Sequence, residues 1–222
     1  ENIKNKTPTR PTNVYIVMEL KKILKETFKY ENFRKNQEEI IKSIIKQDKD
    51  VIVLMQTGFG KSILYQIPAL YLNKTCVVVS PLKSLIKDQY EKLEELGISV
   101  GKLTSENTCF QNISVRENFK DYRILFTTPE TIINNLDFFK DCMKYISFFA
   151  LDESHAISTY GNSFRPAYKQ LGMLREEFPN TKLLALTASA TNIIQQDIID
   201  TFKMKDPIMN EIFITKGSLK WS

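Results

Sequence analysis

Short apolar runs alternate with stretches of helical spacing along most of this chain, and few folds tolerate that order. Residues 51–55, 76–80, 124–127, 148–151 and 183–187 are continuously apolar or nearly so, with a weaker run at 98–103. A strand that lacks polar alternation is one buried on both faces. Helical patterns fill the gaps at 63–72, 83–96, 129–139, 166–177 and 192–202. Ser80-Pro81 and Thr128-Pro129 precede two of them, each a capping residue followed by a proline suited to the first helical position. Strand alternating with helix predicts an α/β fold: a parallel central sheet with helices on both faces. Ahead of the first strand, Ile16, Leu20, Ile23, Leu24 and Phe28 mark one amphipathic helix, and Ile40, Ile41, Ile44 and Ile45 a second. Residues 1–12, "ENIKNKTPTRPT", carry two prolines and no periodic apolar face, and read as a flexible tail. Open parallel sheets bind ligands at the carboxyl ends of their strands. Residues that carry chemistry are therefore expected just after the apolar runs.

The first run leads into "VIVLMQTGFGKS" (51–62), whose end resembles a phosphate cradle. The strict P-loop spacing asks for glycine where Met55 stands. That position need not touch phosphate, so Met55 changes the shape of the loop and not its donors. Gly58 and Gly60 let the backbone of Gln56, Thr57, Gly58, Phe59 and Gly60 curl with its N–H groups inward, and the following helix adds partial positive charge. Lys61 is placed to reach the β- and γ-phosphates, and Ser62 to ligate Mg²⁺. The bland alternative is a strand–turn–helix junction with an incidental Gly-Lys-Ser.

The fourth main run ends "FFALDESHAIS". An apolar strand that delivers Asp152 and Glu153 side by side can hold Mg²⁺, largely through water, and orient and deprotonate an attacking water. Alone, an Asp-Glu pair on a loop is usually only solvated; its position after a buried strand in a chain with a P-loop changes that. His155, the single histidine, is either structural or couples this site to its surroundings by hydrogen bonding.

Composition excludes other classes. No apolar run approaches the roughly 18–20 residues of a membrane span, and the expectation is an intracellular protein with no membrane partner, nuclear if eukaryotic. Cys76, Cys109 and Cys142 are widely spaced and, with one histidine, make no zinc set. A net charge of +5 is compatible with nucleic acid and equally with a solvated surface.

The motifs have a common likeness. Asp152-Glu153-Ser154-His155 resembles the D-E-x-H box of superfamily 2 helicases, and residues 55–62 resemble that superfamily's P-loop, which commonly lacks the first glycine. The spelling is similar to the RecQ DNA helicase family: "FKYENFRKNQEEII" (28–41) to its adenine-reading motif, "VVVSPLKSLIKDQ" (77–89) and "FTTPE" (126–130) to its motifs Ia and Ib, and "LTASAT" (186–191) to its motif III. "DESHAISTYGNSFRPAYKQLGMLR" (152–175) runs from the carboxylate box through the aromatic-rich loop. The likeness covers residues 21–206 with its motifs in order.

That resemblance implies a RecA-like motor domain over 13–208 that uses ATP and Mg²⁺. Tyr30 stacks on adenine or is ordinary packing; Gln37 reads the adenine edge, with Arg34 beside it. Pro81, Leu82, Lys83 and Ser84, with Thr128 and Pro129, hold the backbone of a DNA strand, although Lys83 can equally be a plain exposed lysine. Tyr160, Phe164 and Arg165 sense single-stranded DNA, the aromatics having packing as their alternative. Thr187 and Ser189 relay between the nucleotide and DNA sides. Several positions depart from the family spelling: Lys29 for glycine, Gln56 and Phe59 for proline and glycine in the P-loop, Tyr160 for tryptophan, Asn192 for proline.

The implied activity is ATP-dependent 3′→5′ DNA unwinding, with single-stranded and branched DNA as partners. A second RecA-like domain supplies the arginine that completes hydrolysis. No such domain is present, so residues 209–222 read as the start of a linker toward it, the chain as a fragment, and the isolated domain as weakly active or inactive. The family's zinc-binding and winged-helix modules are not here either. A superfamily 2 RNA helicase, and a nucleotide-binding module that has lost its motor, are the competing readings.

Overall fold

The structure, a computed structural model, describes residues 12–56, 60–159, 164–188 and 191–212. The elements in order are α1 (Asn13–Phe28), α2 (Gln37–Lys46), β1 (Val51–Met55), α3 (Ile63–Leu72), β2 (Thr75–Val79), α4 (Lys83–Glu95) and β3 (Val100–Leu103). Then come α5 (Cys109–Glu117), β4 (Ile124–Thr127), α6 (Pro129–Asn134), α7 (Leu136–Asp141) and β5 (Ile146–Leu151). The last are α8 (Pro166–Gln170), α9 (Met173–Glu177), β6 (Lys182–Thr187), α10 (Asn192–Thr201) and β7 (Ile208–Ile212). The strands form one parallel sheet in the order β3-β4-β2-β5-β6-β1-β7.

Successive side chains of a strand point to opposite faces, and here each face has its own core. Val51, Val53 and Met55 join Cys76, Val78, Phe148 and Ala150 under α1, α2 and α3. Ile52, Val77, Val79, Phe149 and Leu151 face the other way, against Tyr168, Leu174, Ile198 and Phe202. Every residue of β1, β2, β4 and β5 is buried, which is why these strands read as unbroken apolar runs.

The differences from the sequence reading have local causes. β7 pairs with β1 in register from Val51↔Ile208 to Met55↔Ile212, so the boundary expected after residue 208 falls inside the sheet. Asn210 and Glu211 interrupt its apolar pattern, as an edge strand permits. The expected tail 1–12 (apart from Thr12, which caps α1) and the stretch 213–222 lie outside the described residues. α5 follows a capping box between Thr108 and Gln111, in a segment too polar to show periodicity. The helix expected over 129–139 breaks at Asn135, whose amide turns back to the Thr131 carbonyl at 2.8 Å. The one expected over 166–177 breaks near Gly172, where a Cβ would lie 2.8 Å from the Thr201 carbonyl oxygen at the end of α10. Thr128 caps α6 with Pro129 in its first turn, as expected. Ser80 does not cap α4: the cap position is Leu82, and the Ser80 hydroxyl is buried without a hydrogen-bond partner among the described residues.

A polar clamp closes the amino end of the sheet. Asp50 accepts from the Leu183 N–H at 3.0 Å and from Arg175 Nη2 at 2.7 Å. Arg175 donates further to the Phe202, Pro179 and Thr181 carbonyls. One guanidinium thus joins β1, β6, α9 and the end of α10. Removing one partner of a buried pair strands the other charge, which costs about 3–5 kcal/mol. Arg175→Ala is expected to lower unfolding free energy by about 3 kcal/mol in urea titration; an unchanged midpoint would remove the clamp from this role.

Candidate functional site

β1, β6 and β5 lie side by side, and their carboxyl ends carry the residues singled out by sequence. After β1 the chain turns at Gly60 and enters α3 through Lys61 and Ser62. After β5, Asp152 donates its N–H to the Val79 carbonyl at 2.9 Å, and Glu153 takes a left-handed conformation with φ 52°. Lys61 Nζ meets Glu153 Oε1 at 2.7 Å and lies 3.7 Å from Asp152 Oδ1. Ser154 Oγ donates to the Leu186 carbonyl at 3.0 Å, tying the turn to β6. His155 Nδ1 is 3.2 Å from Thr187 Oγ1 and 3.3 Å from Glu153 Oε2. Lys61, Asp152, Glu153, His155 and Thr187 therefore form one constellation.

Its electrostatics follow from desolvation. Burial pushes the Asp152 carboxyl above the usual range; Lys61 opposes this and Glu153 adds to it. Burial also lowers His155, opposed by Glu153 and assisted by Lys61, so the ring is neutral near pH 7 and acts as a hydrogen-bonding group. Gly60, Lys61, Ser62, Asp152 and Glu153 line an open cleft with Tyr65, Leu85 and Gln89. The last three were missed by sequence reasoning, although Tyr65 sits one turn beyond Ser62, and Leu85 and Gln89 share a face of α4. The Ser62 hydroxyl and Asp152 carboxylate are hard oxygen donors that suit Mg²⁺, which keeps several waters and needs few protein ligands. No larger cluster of acidic, cysteine or histidine ligands occurs among the described residues.

A second hollow adjoins the first at Gly60 and is lined by Leu24, Tyr30, Asn32, Arg34, Gln37 and Ile63. Tyr30 is half exposed. Gln37 is buried; its Oε1 accepts from the Arg34 N–H at 2.8 Å and its Nε2 donates to the Gly60 carbonyl at 3.4 Å. An amide with two lone pairs and two hydrogens has capacity left at each end. Lys29, where the RecQ spelling has glycine, ends α1 in the left-handed region at φ 60°, the conformation glycine adopts most easily.

The residues expected along a nucleic-acid strand lie beyond the ends of β2, β4 and β5. Leu82, Lys83 and Ser84 are exposed and Pro81 partly so. Lys83 pairs with Glu106 at 3.3 Å. Arg165 donates to the Pro81 carbonyl and lies 3.8 Å from Glu130, with Phe164 exposed beside it. Thr128 and Pro129 are buried, and the Thr128 hydroxyl is engaged in capping α6. Thr57, Gly58, Phe59, Tyr160 and Ser189 lie outside the described residues.

Comparison with known proteins adds four findings. The family described as DEAD/DEAH box helicase matches residues 34–197. The ATP-dependent DNA helicase RecQ of Haemophilus influenzae is 40% identical over 186 residues, covering 83% of this chain and 30% of that protein. An Acanthamoeba polyphaga mimivirus protein with the provisional name ATP-dependent RNA helicase is 42% identical over 190 residues, covering 84% of this chain and 34% of its own. The chain thus spans about a third of the length of these relatives. The DEAD-box helicase Mss116, solved with single-stranded RNA and UDP-BeF, shares the fold at a TM-score of 0.71 and 19% identity, covering 91% of this chain and 45% of that one.

Gly60 links the two hollows, and its geometry is testable. Its φ is 87°, and a Cβ there would stand 2.9 Å from Gln37 Nε2. Gly60→Ala is expected to cost about 1–2 kcal/mol through backbone strain, read as a thermal midpoint roughly 4 °C lower. An unchanged midpoint would show that the loop relaxes freely.

Proposed function

The chain belongs to the DEAD/DEAH box helicase family, and we propose that it is the ATP-binding first motor domain of a RecQ-type DNA helicase. The observation that supports this most is the convergence of Lys61, Asp152 and Glu153 on one cleft from strand ends on either side of β6. In this reading Tyr30 stacks on adenine, while Gln37 and Arg34 hold its edge. The backbone of residues 56–60 cradles the phosphates, Lys61 leaves Glu153 for the β- and γ-phosphates, and Ser62 and Asp152 hold Mg²⁺. The metal, when bound, neutralises charge on the phosphates and fixes their orientation. Glu153, released from Lys61, accepts the proton of the attacking water. His155 stays neutral and passes changes at Glu153 to Thr187 through its ring nitrogen.

The cleft is open to solvent, and in this reading a second RecA-like domain covers it and brings the arginine that stabilises the transferred phosphoryl group. Single-stranded DNA, including the single-stranded arms of branched DNA, is the proposed polymer. Bases stack on Phe164 and Tyr160, and backbone contacts come from Arg165, Lys83, Ser84 and the chain around Pro81 and Leu82. The spelling of residues 152–175 and 28–41 favours DNA; the name of the mimivirus relative keeps RNA as the alternative outcome.

Two measurements on the full-length protein decide between these readings. Glu153→Gln is expected to keep nucleotide affinity within a few-fold and to reduce hydrolysis by about 10²–10⁴-fold, since the amide holds water without accepting its proton; retained hydrolysis removes Glu153 from this role. Hydrolysis in the wild type is expected to rise with single-stranded DNA and not with RNA of the same length. The opposite preference makes this an RNA helicase, and the absence of any Lys61-dependent hydrolysis makes it a nucleotide-binding module.

A further inference from the structure

Tyr168 is fully buried on α8, belongs to none of the motif positions given a role above, and carries a hydroxyl that its hydrophobic surroundings do not need. A phenylalanine would fill the same space, and a buried hydroxyl is unfavourable unless bonded. Its bonds are specific. The hydroxyl donates to the Asp152 carbonyl and lies 3.2 Å from the Val79 carbonyl. Burial, with Asp152 and Glu153 adding to it, holds this phenol well above its ordinary range, so it remains a donor at any working pH.

The peptide between Asp152 and Glu153 is thereby held at both ends. Its carbonyl accepts from Tyr168, and its N–H, that of Glu153, donates to Asp152 Oδ1 at 3.0 Å. The preceding N–H, that of Asp152, is bonded to Val79. Glu153 follows with φ 52°, a conformation that is strained for a residue with a Cβ and persists only where its surroundings over-determine it. Rotating this one peptide would redirect both carboxylates. The hydroxyl that fixes it stands on a helix that begins immediately after Phe164 and Arg165. Arg165 donates its N–H to the Ala156 carbonyl at 2.8 Å, its guanidinium bonds the Pro81 carbonyl, and the Tyr168 N–H returns to the Arg165 carbonyl at 2.9 Å. The first turn of α8 is therefore a short rigid link between the exposed Phe164–Arg165 edge and the Asp152–Glu153 turn.

We infer that Tyr168 is a positioning residue whose hydroxyl sets the Asp152–Glu153 peptide and makes the two carboxylates answer to contacts at Phe164 and Arg165. The clamp stands on geometry alone; its consequence for hydrolysis rests on the function proposed above.

Tyr168→Phe in the full-length protein tests both parts. Hydrogen–deuterium exchange resolved to the Glu153 amide, without nucleotide, is expected to be slow in the wild type and about tenfold faster in the variant, the scale of one lost buried hydrogen bond. Fast exchange in the wild type, or no change in the variant, overturns the clamp, and the wild-type measurement decides even if the variant misfolds. In ATP hydrolysis, kcat is expected to fall about tenfold and the stimulation by a single-stranded oligodeoxynucleotide to shrink toward unity, with KM within about twofold. A lower thermal midpoint with kcat and stimulation intact would mark Tyr168 as merely structural. If wild-type hydrolysis proves independent of Lys61, the functional reading fails, and the exchange result still decides the clamp.

Discussion

In a parallel sheet every strand ends on the same edge, and the peptide groups beyond that edge are no longer consumed by the ladder. The rest of this molecule depends on that constraint. Both faces of the sheet are covered, so polar side chains have almost no place along β1, β2, β4 or β5. They collect where the strands stop. β1 and β5 are separated by β6, which sets their ends about 10 Å apart at the usual strand spacing. A lysine side chain on one side and a carboxylate on the other span that gap, as the 2.7 Å contact of Lys61 with Glu153 shows. The space above β6 is where an anionic ligand can come between them.

The charges at this edge are poised. Asp152 is desolvated enough for its carboxyl to be pushed upward even with Lys61 nearby, an arrangement a protein devoted only to stability would avoid. Lys61 relieves part of that burden by pairing with Glu153. A phosphate ligand would therefore exchange one ionic partner for another and would not meet an uncompensated lysine. A divalent cation would favour the ionised form of Asp152. The cations farther along the edge are also paired, Lys83 with Glu106 and Arg165 with Glu130. The Arg165 edge is joined to the carboxylate turn by backbone bonds and by the buried Tyr168 hydroxyl.

Sequence by itself determined the alternation of strands and helices, the parallel sheet, and the strand tips on which Lys61, Ser62, Asp152, Glu153 and His155 would stand. These follow from local signals: runs buried on both faces lose their polar alternation, and the Thr128-Pro129 cap acts within a single turn. Tertiary structure alone decided the rest. β7 is a strand because β1 offers it a free edge, while its own residues 210 and 211 look polar. The breaks after α6 and α8 answer to a side-chain amide and to the approach of α10. Ser80 looks like a cap and is buried instead, its N–H extending the β2–β4 ladder to the Thr127 carbonyl. Tyr65, Leu85 and Gln89 reach the cleft only once α3 and α4 have packed. The hydroxyl of Tyr168 finds the Asp152 carbonyl only because β2, β5 and α8 meet at one point. Periodicity reports which way a residue faces, whereas the partner it meets there is set by elements distant in the chain.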